Sequence, residues 1–262
     1  MQQLKLLSLD GIRLDAAVHE PAGGRSRGTV LLVHGITADL DEGGMFVRLA
    51  ERLAQVGFTA LRFSFRGHGR SGGTQRGATI AGEMLDVEAV IEYVTAGHPG
   101  QVSVVAASFG AVPAVLSLPD LEGLVSRLVL WNPVLDLRAT FVEPELPWGK
   151  HNYSPAQQEL LASQGFLLVD GEFALGRVMF DEFRHYRPDR RFVASDLPAL
   201  VVHGDQDSSV SYEIARAAAA AKPNCAFHTI AGSDHGFDSR EREDEAIAVT
   251  VTWLDGEHPE EG

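Results

Sequence analysis

The chain has 262 residues, 45% of them hydrophobic, and a formal net charge of −14. That length can bury a sizeable core without staples, and the acidic balance argues against nucleic acid, whose phosphates would be repelled. With Cys225 as its only cysteine, the chain can form neither an internal disulfide nor a thiolate metal cluster, a usage that suits a reducing cytoplasm.

The N-terminal MQQLKLLSLDG lacks the apolar run and the cleavage site of a signal peptide. No segment approaches the ~18 apolar residues of a membrane span. Leu4–Leu9 and Ile12–His19 read as strands joined at Asp10-Gly11, a hairpin signal. Thr29–His34 is a short continuous apolar run, as expected of a strand buried on both faces. Phe46, Leu49, Ala50, Leu53 and Val56 have helical spacing, and Gly57 follows as a stop. Phe58–Phe65 reads as the next strand, Ile80–Thr95 as a long amphipathic helix, Val102–Ala107 as a strand and Gly110–Leu118 as a helix broken by Pro119.

Arg127–Trp131 and Ala199–Val202 read as further buried strands, Ala226–Ile230 as a shorter one, Glu243–Leu254 as the last helix and Gly256–Gly262 as an acidic tail. Such alternation predicts an α/β protein with a mostly parallel sheet, helices on both faces and an antiparallel edge supplied by the first hairpin. The rhythm breaks between Asn132 and Ser195, where no buried strand is expected. Leu175, Met179, Phe183 and Tyr186 form a helical stripe there, with Phe173 and Phe180 nearby. Nine of the twenty aromatic residues fall in this insertion, which fits a satellite core, a helical cap over a pocket, or both.

Four short segments follow predicted strands, at the sheet edge where open α/β folds collect ligands. In VVAASFGAVPA, Ser108 sits at the joint of strand and helix with small residues, Ala106 and Gly110, two positions either side. That spacing suits a serine held on a sharp turn, although Ala106 stands where the usual motif has glycine. In VVHGDQDSSV, Asp207 is the candidate acid to hold an imidazole in one tautomer, and Asp205 reads as a turn cap. In AGSDHGF, His235 is the histidine that lies beyond Asp207 in a small-residue loop. In LVHGIT, the backbone N–H of Ile36, paired with that of Phe109, suits an oxyanion hole. The order Ser108, Asp207, His235 is that of an α/β-hydrolase.

The chain resembles the α/β-hydrolase superfamily over nearly its whole length, and within it the bacterial cinnamoyl/feruloyl-esterase-like serine hydrolases. The resemblance rests on LLVHGITA, RFSFRGHGRSGG, the Ser108 turn, HGDQDSSV and GSDHGF. It implies one domain over residues 1–262, with about eight strands in the sheet and a helical cap inserted after the sixth strand, at about 133–195. It also implies Ser108 as nucleophile, Asp207 as acid, His235 as base, and Ile36 and Phe109 as oxyanion donors. Two departures are visible: the elbow carries Ala106-Ala107 where relatives have Gly-His, and Phe109 adds an aromatic wall beside the serine.

Other residues read as structural. Gly67–Gly72 is glycine-rich but lacks the P-loop lysine and dinucleotide spacing. His34 fits a buried hydrogen-bonding role, and Asp136 is a competing but weaker acid. Thr37–Glu42 is acidic, fitting either a solvated loop or a preference for cationic or neutral substrates. No metal-ligand spacing is present, and no cofactor is expected. The expected function is cofactor-independent hydrolysis of a small ester or thioester with apolar or aromatic bulk. Acyl transfer, biosynthetic thioester release, C–C bond hydrolysis, non-catalytic ligand binding and a homodimer stay open.

Overall fold

The computed structural model describes residues 1–97, 100–121 and 123–256. The acidic tail expected beyond Gly256 lies outside the described residues. The elements run β1 (Gln2–Leu7), β2 (Arg13–His19), β3 (Thr29–Val33), α1 (Met45–Gln55), β4 (Thr59–Phe63), α2 (Ile80–Gly97), β5 (Val102–Ala107), α3 (Ala111–Leu116) and β6 (Val125–Trp131). Then come α4 (Pro147–Asn152), α5 (Pro155–Gln164), β7 (Phe166–Val169), β8 (Phe173–Gly176), α6 (Arg177–Glu182) and α7 (Pro188–Ala194). The chain returns to the main sheet with β9 (Ala199–Gly204), α8 (Tyr212–Ala221), β10 (Cys225–Ile230) and α9 (Arg240–Asp255).

Eight strands form the main sheet in the order β1-β2-β4-β3-β5-β6-β9-β10. β2 pairs antiparallel with both β1 and β4, and the other pairings are parallel, so β2 alone runs against the rest. The apolar run of β3 shows why both faces must be covered. Leu31 and Val33 pack in a core with Val87, Val90, Ile91 and Val94 of α2, Ala111 of α3 and Ala215 of α8. Val30 and Leu32 point the other way, into a core with Phe46, Leu49 and Leu53 of α1 and Ala246, Ile247 and Leu254 of α9. α9 begins earlier than its apolar spacing suggests, because Ser239 caps it by accepting a hydrogen bond from the N–H of Arg242.

The glycine-rich loop after β4 is anchored by a buried ion pair. Arg66 donates to Asp86 of α2 (2.8 Å), to Asp10 (2.8 Å) and to Ser8 (2.9 Å), tying the loop to α2 and to the β1–β2 turn. The guanidinium crosses Gly82, where a Cβ would meet Arg66 Nη1 at 2.6 Å. Asp86→Ala leaves this cation short of its fully buried partner. We expect a loss of about 3 kcal/mol, measured as a lower urea midpoint with an unchanged slope.

The insertion corrects the expectation of an all-helical cap without a buried strand. β7 and β8 form an antiparallel hairpin whose Leu167, Val169, Phe173 and Leu175 are buried. Its three-residue connection, Asp170 to Glu172, holds Asp170 and Gly171 at positive φ (53° and 76°), and Glu172 N–H closes the turn on the Val169 carbonyl (3.1 Å). Leu175 therefore belongs to a strand, α6 carries Met179 and Phe180, and Tyr186 lies beyond the helix. The hairpin is stitched to the segment before α2. Ala174 N–H donates to Gln75 Oε1 (2.8 Å), the Arg76 guanidinium covers the Phe166 ring at 3.6 Å, and Ile80 N–H donates to Glu182 Oε2 (2.6 Å).

Candidate active site

The C-terminal ends of β3, β5, β6, β9 and β10 lie side by side, and the loops leaving them make one rim. Ser108 begins the turn between β5 and α3 at φ 51°, a left-handed backbone that a serine adopts at a cost of about 1 kcal/mol or more. The turn is forced by close approach. A Cβ at Gly110 would lie 2.4 Å from the His34 carbonyl oxygen and 2.6 Å from that of Val33, so the start of α3 presses on the end of β3. Gly35 gives room on the other side, since a Cβ there would sit 3.2 Å from Ser108 Cβ. Ala106 is tolerated where glycine is usual because its methyl is buried in the sheet core between Val33 and Leu130.

The loops after β9 and β10 are locked together. A Cβ at Gly204 would lie 2.4 Å from the Ser233 carbonyl, and Asp205 accepts a hydrogen bond from Gly232 N–H (2.7 Å), joining the neighbouring loop rather than capping its own turn as expected. Asp234 accepts from the N–H of both Ser208 and His235, each at 2.7 Å. This lacing brings the three distant side chains into one hydrogen-bonded chain. Asp207 Oδ2 accepts from His235 Nδ1 at 2.8 Å, and His235 Nε2 faces Ser108 Oγ at 3.0 Å. Bonding at Nδ1 leaves Nε2 as the acceptor for the Ser108 hydroxyl.

Asp207 has no exposed side-chain surface. Its Oδ1 accepts from the N–H of Ser209 (2.9 Å) and Val210 (2.8 Å), and His203 Nε2 donates to Oδ2 at 3.1 Å. Burial opposes its charge, but His235 and His203 outweigh burial and hold the carboxyl well below the usual carboxylate range. Burial alone would lower the pKa of His235. Asp207 outweighs it, with Glu42 and Asp234 assisting, and the imidazole pKa is raised. His203 is a partner that the sequence reading missed.

Ile36 and Phe109 flank Ser108 on the other side, in the turns leaving β3 and β5. The Phe109 ring is no wall beside the serine: it is 1% exposed and packs edge-on against Phe141 (5.7 Å) and Phe183 (5.9 Å) under the insertion. Phe141 and Trp148 do reach a cavity of about 110 Å³, together with Ile36, Glu42, Ser108, Val134, Asp170, Val210 and His235. Most of the other insertion aromatics fill a satellite core instead.

The weaker candidates sort as expected. His34 is buried, with Nδ1 donating to the Gly35 carbonyl (2.7 Å) and Nε2 accepting from Phe65 N–H (3.0 Å). Asp136 accepts from the N–H of Arg138 and Ala139 (2.9 and 3.0 Å), capping a local turn, and is not among the residues lining the Ser108 cavity. His68, in the glycine-rich loop, lies between the carbonyls of Arg66 and Ile36 and stacks on Phe173 at 4.7 Å. Among the described residues there is no group of three or more His, Cys, Asp or Glu able to hold a metal ion, and no helix long and apolar enough to cross a membrane.

Residues 24–166 match the model of a hydrolase family described as serine aminopeptidase, S33. Among solved structures, the chain is similar to Est1E from Butyrivibrio proteoclasticus with ferulic acid bound. The two are 23% identical over 96% of this chain and 98% of that one, with a TM-score of 0.81. The esterase Pf2001 from Pyrococcus furiosus is 19% identical over 97% and 90% of the two chains, with a TM-score of 0.73. The mouse α/β hydrolase domain-containing protein 10 is 16% identical over 98% and 99%, with a TM-score of 0.77. These likenesses establish the α/β-hydrolase fold. No curated protein matches the chain by sequence.

Proposed function

The chain belongs to the hydrolase family described as serine aminopeptidase, S33, and from that premise we propose that it cleaves small carboxylic esters or thioesters through an acyl-enzyme on Ser108. The observation that carries this reading is the hydrogen-bonded chain from Ser108 through His235 to Asp207, opening on a cavity. Ser108 Oγ attacks the acyl carbon while its proton passes to His235 Nε2. Asp207 keeps the imidazole in the acceptor tautomer and supports the imidazolium that forms. The N–H groups of Ile36 and Phe109 stabilise the oxyanion. Collapse of that intermediate breaks the acyl–oxygen or acyl–sulfur bond, and His235 returns the proton to the leaving group. Water, activated by the same imidazole, then opens the acyl-enzyme.

In this reading residues 1–262 are one α/β-hydrolase domain, and residues 133–195 cap its active site. The cavity sets the scale of the acyl group. At about 110 Å³ it is smaller than the ~300 Å³ at the low end of drug-sized pockets, and Ile36, Val134, Phe141, Trp148 and Val210 make the apolar part of a lining that also carries Glu42 and Asp170. A short apolar acyl chain fits this space better than the feruloyl group suggested by Est1E.

A turnover panel tests the proposal: p-nitrophenyl acetate and butyrate, methyl ferulate, a short acyl thioester and an aminoacyl p-nitroanilide. The short esters should exceed methyl ferulate in kcat/KM by about tenfold or more, and a fluorophosphonate should label Ser108. Turnover of the anilide alone would replace the ester reading with an aminopeptidase one. Binding without turnover or labelling would leave a ligand-binding protein.

A further inference from the structure

Two carboxyls line the cavity with no part in the mechanism above: Asp170, whose Oδ1 accepts from Trp148 and Asn152, and Glu42. Glu42 lies in the acidic segment after β3, where a solvated loop was the commonplace expectation. Asp41 meets that expectation, lying part-exposed and paired with Arg62. Glu42 instead turns inward. Its Oε2 accepts from Gly35 N–H at 2.7 Å, in the strand-end turn that presents Ile36. Its other oxygen, Oε1, lies 3.7 Å from the point that a Gly35 Cβ would occupy, and Ser108 Oγ lies 3.7 Å from the same point. Carboxyl and hydroxyl thus flank one face of Gly35, and Glu42 lines the same cavity as Ser108 and His235.

From this geometry, and resting on the proposed roles of Ser108 and His235, we propose that Glu42 is a second positioning carboxylate. It fixes the Gly35–Ile36 turn through Gly35 N–H, and its charge supports the His235 imidazolium across the cavity that both line. When Ser108 transfers its proton, the new positive charge on His235 then meets a second carboxylate besides Asp207.

The surroundings favour such a role. The charged groups around the pair are Asp39 on Glu42's own segment, Asp234 beside His235, Asp207 with its second partner His203, and Asp170 from the β7–β8 turn, which lines the cavity. No lysine or arginine is among the lining residues. Burial pushes the Glu42 carboxyl up to about 7, against the Gly35 hydrogen bond and the attraction of His235. Glu42 therefore titrates close to neutrality, and the charge on each group bears on the titration of the other.

The sign follows. An ionised Glu42 makes the imidazolium harder to deprotonate, which places the acid limb of kcat/KM at higher pH, and it makes the imidazole a stronger base once it is free. Glu42→Gln keeps an acceptor for Gly35 N–H but removes the charge. We expect its acid limb to move to lower pH, with a plateau about tenfold lower, because one facing charge is worth roughly that factor in a partly desolvated site.

The experiment measures kcat/KM for p-nitrophenyl butyrate from pH 5 to 9 in wild type, Glu42→Gln and Ser108→Ala, with thermal melting to show that the variants fold. A second measurement is ¹³C NMR of the glutamate carboxyls in Ser108→Ala, where the resonance assigned to Glu42 by its loss on adding Glu42→Gln should titrate near neutrality, and at higher pH once His235→Ala removes the facing positive charge. A downward shift of the limb in Glu42→Gln supports the inference. A limb at the wild-type position overturns it, whether or not the rate falls, as does a Glu42 carboxyl that titrates in the ordinary range. Full turnover by Ser108→Ala would overturn the site reading, and this inference with it. An unmoved limb alongside an inactive Ser108→Ala would leave the site reading intact.

Discussion

Ser108→Ala is expected to lower kcat/KM for p-nitrophenyl butyrate by about four orders of magnitude or more, and His235→Ala to do nearly the same. The reason is geometric. His235 Nε2 lies 3.0 Å from Ser108 Oγ, so each side chain is useless to acyl transfer without the other. The double variant should fall within about tenfold of either single one, because two groups that act in one step cannot be lost twice. Residual activity would come from the Ile36 and Phe109 N–H groups and from binding. Alanine at position 108 keeps the positive φ of the turn (51°). The melting temperature should therefore stay near the wild-type value, which separates lost chemistry from lost folding. A His235→Ala protein that retained more than a tenth of wild-type turnover would remove His235 from the role of base.

The residues of this site were legible in the sequence to different degrees. Ser108 and Asp207 each follow a continuous apolar run, and a buried parallel strand makes such runs unmistakable while fixing which end of the sheet they reach. His235 follows an edge strand broken by His228 and Thr229, and was legible instead from its small-residue loop and its place after Asp207. Glu42 was not legible. Its hydrogen-bond partner is a backbone N–H, which leaves no mark in the sequence, and its neighbours Asp39 and Asp41 give the segment the look of a solvated face. His203 was hidden for a similar reason: it follows the strand expected over Ala199–Val202, and its contact with Asp207 depends on how the following turn folds back.

The insertion misled through periodicity. Leu175, Met179, Phe183 and Tyr186 are spaced for a helix, yet the Asp170-Gly171 turn starts a strand that swings Leu175 into the satellite core. The turn dipeptide was the better signal, because it constrains the backbone directly whereas four apolar residues constrain only a face. The direction of the Phe109 ring was beyond sequence altogether, since the elbow's strained turn decides it.

Asp207→Asn should cost about four orders of magnitude in kcat near neutral pH, and the hydrogen bonds say how. Four donors converge on this carboxylate: the N–H groups of Ser209 and Val210 on Oδ1, and the imidazoles of His235 and His203 on Oδ2. Asparagine has one acceptor oxygen. If that oxygen serves the backbone, the amide N–H₂ faces His235 Nδ1, which must then accept. The proton moves to Nε2, opposite Ser108 Oγ, where it blocks the transfer that begins the reaction. If the amide turns the other way, two backbone N–H groups face a donor and the loop carrying position 207 must shift. Either outcome also weakens the fold. Because His235 and His203 hold the Asp207 carboxyl below its unfolded value of about 4, against the cost of burial, its charge contributes stability above that pH and loses it as pH falls further. The gap in melting temperature between wild type and Asp207→Asn should accordingly be open at pH 7 and narrow progressively below pH 4. Retention of wild-type kcat by Asp207→Asn would force a different acid, and Asp136 is poorly placed for it, since it does not line the Ser108 cavity and its Oδ1 caps the local turn of Arg138 and Ala139.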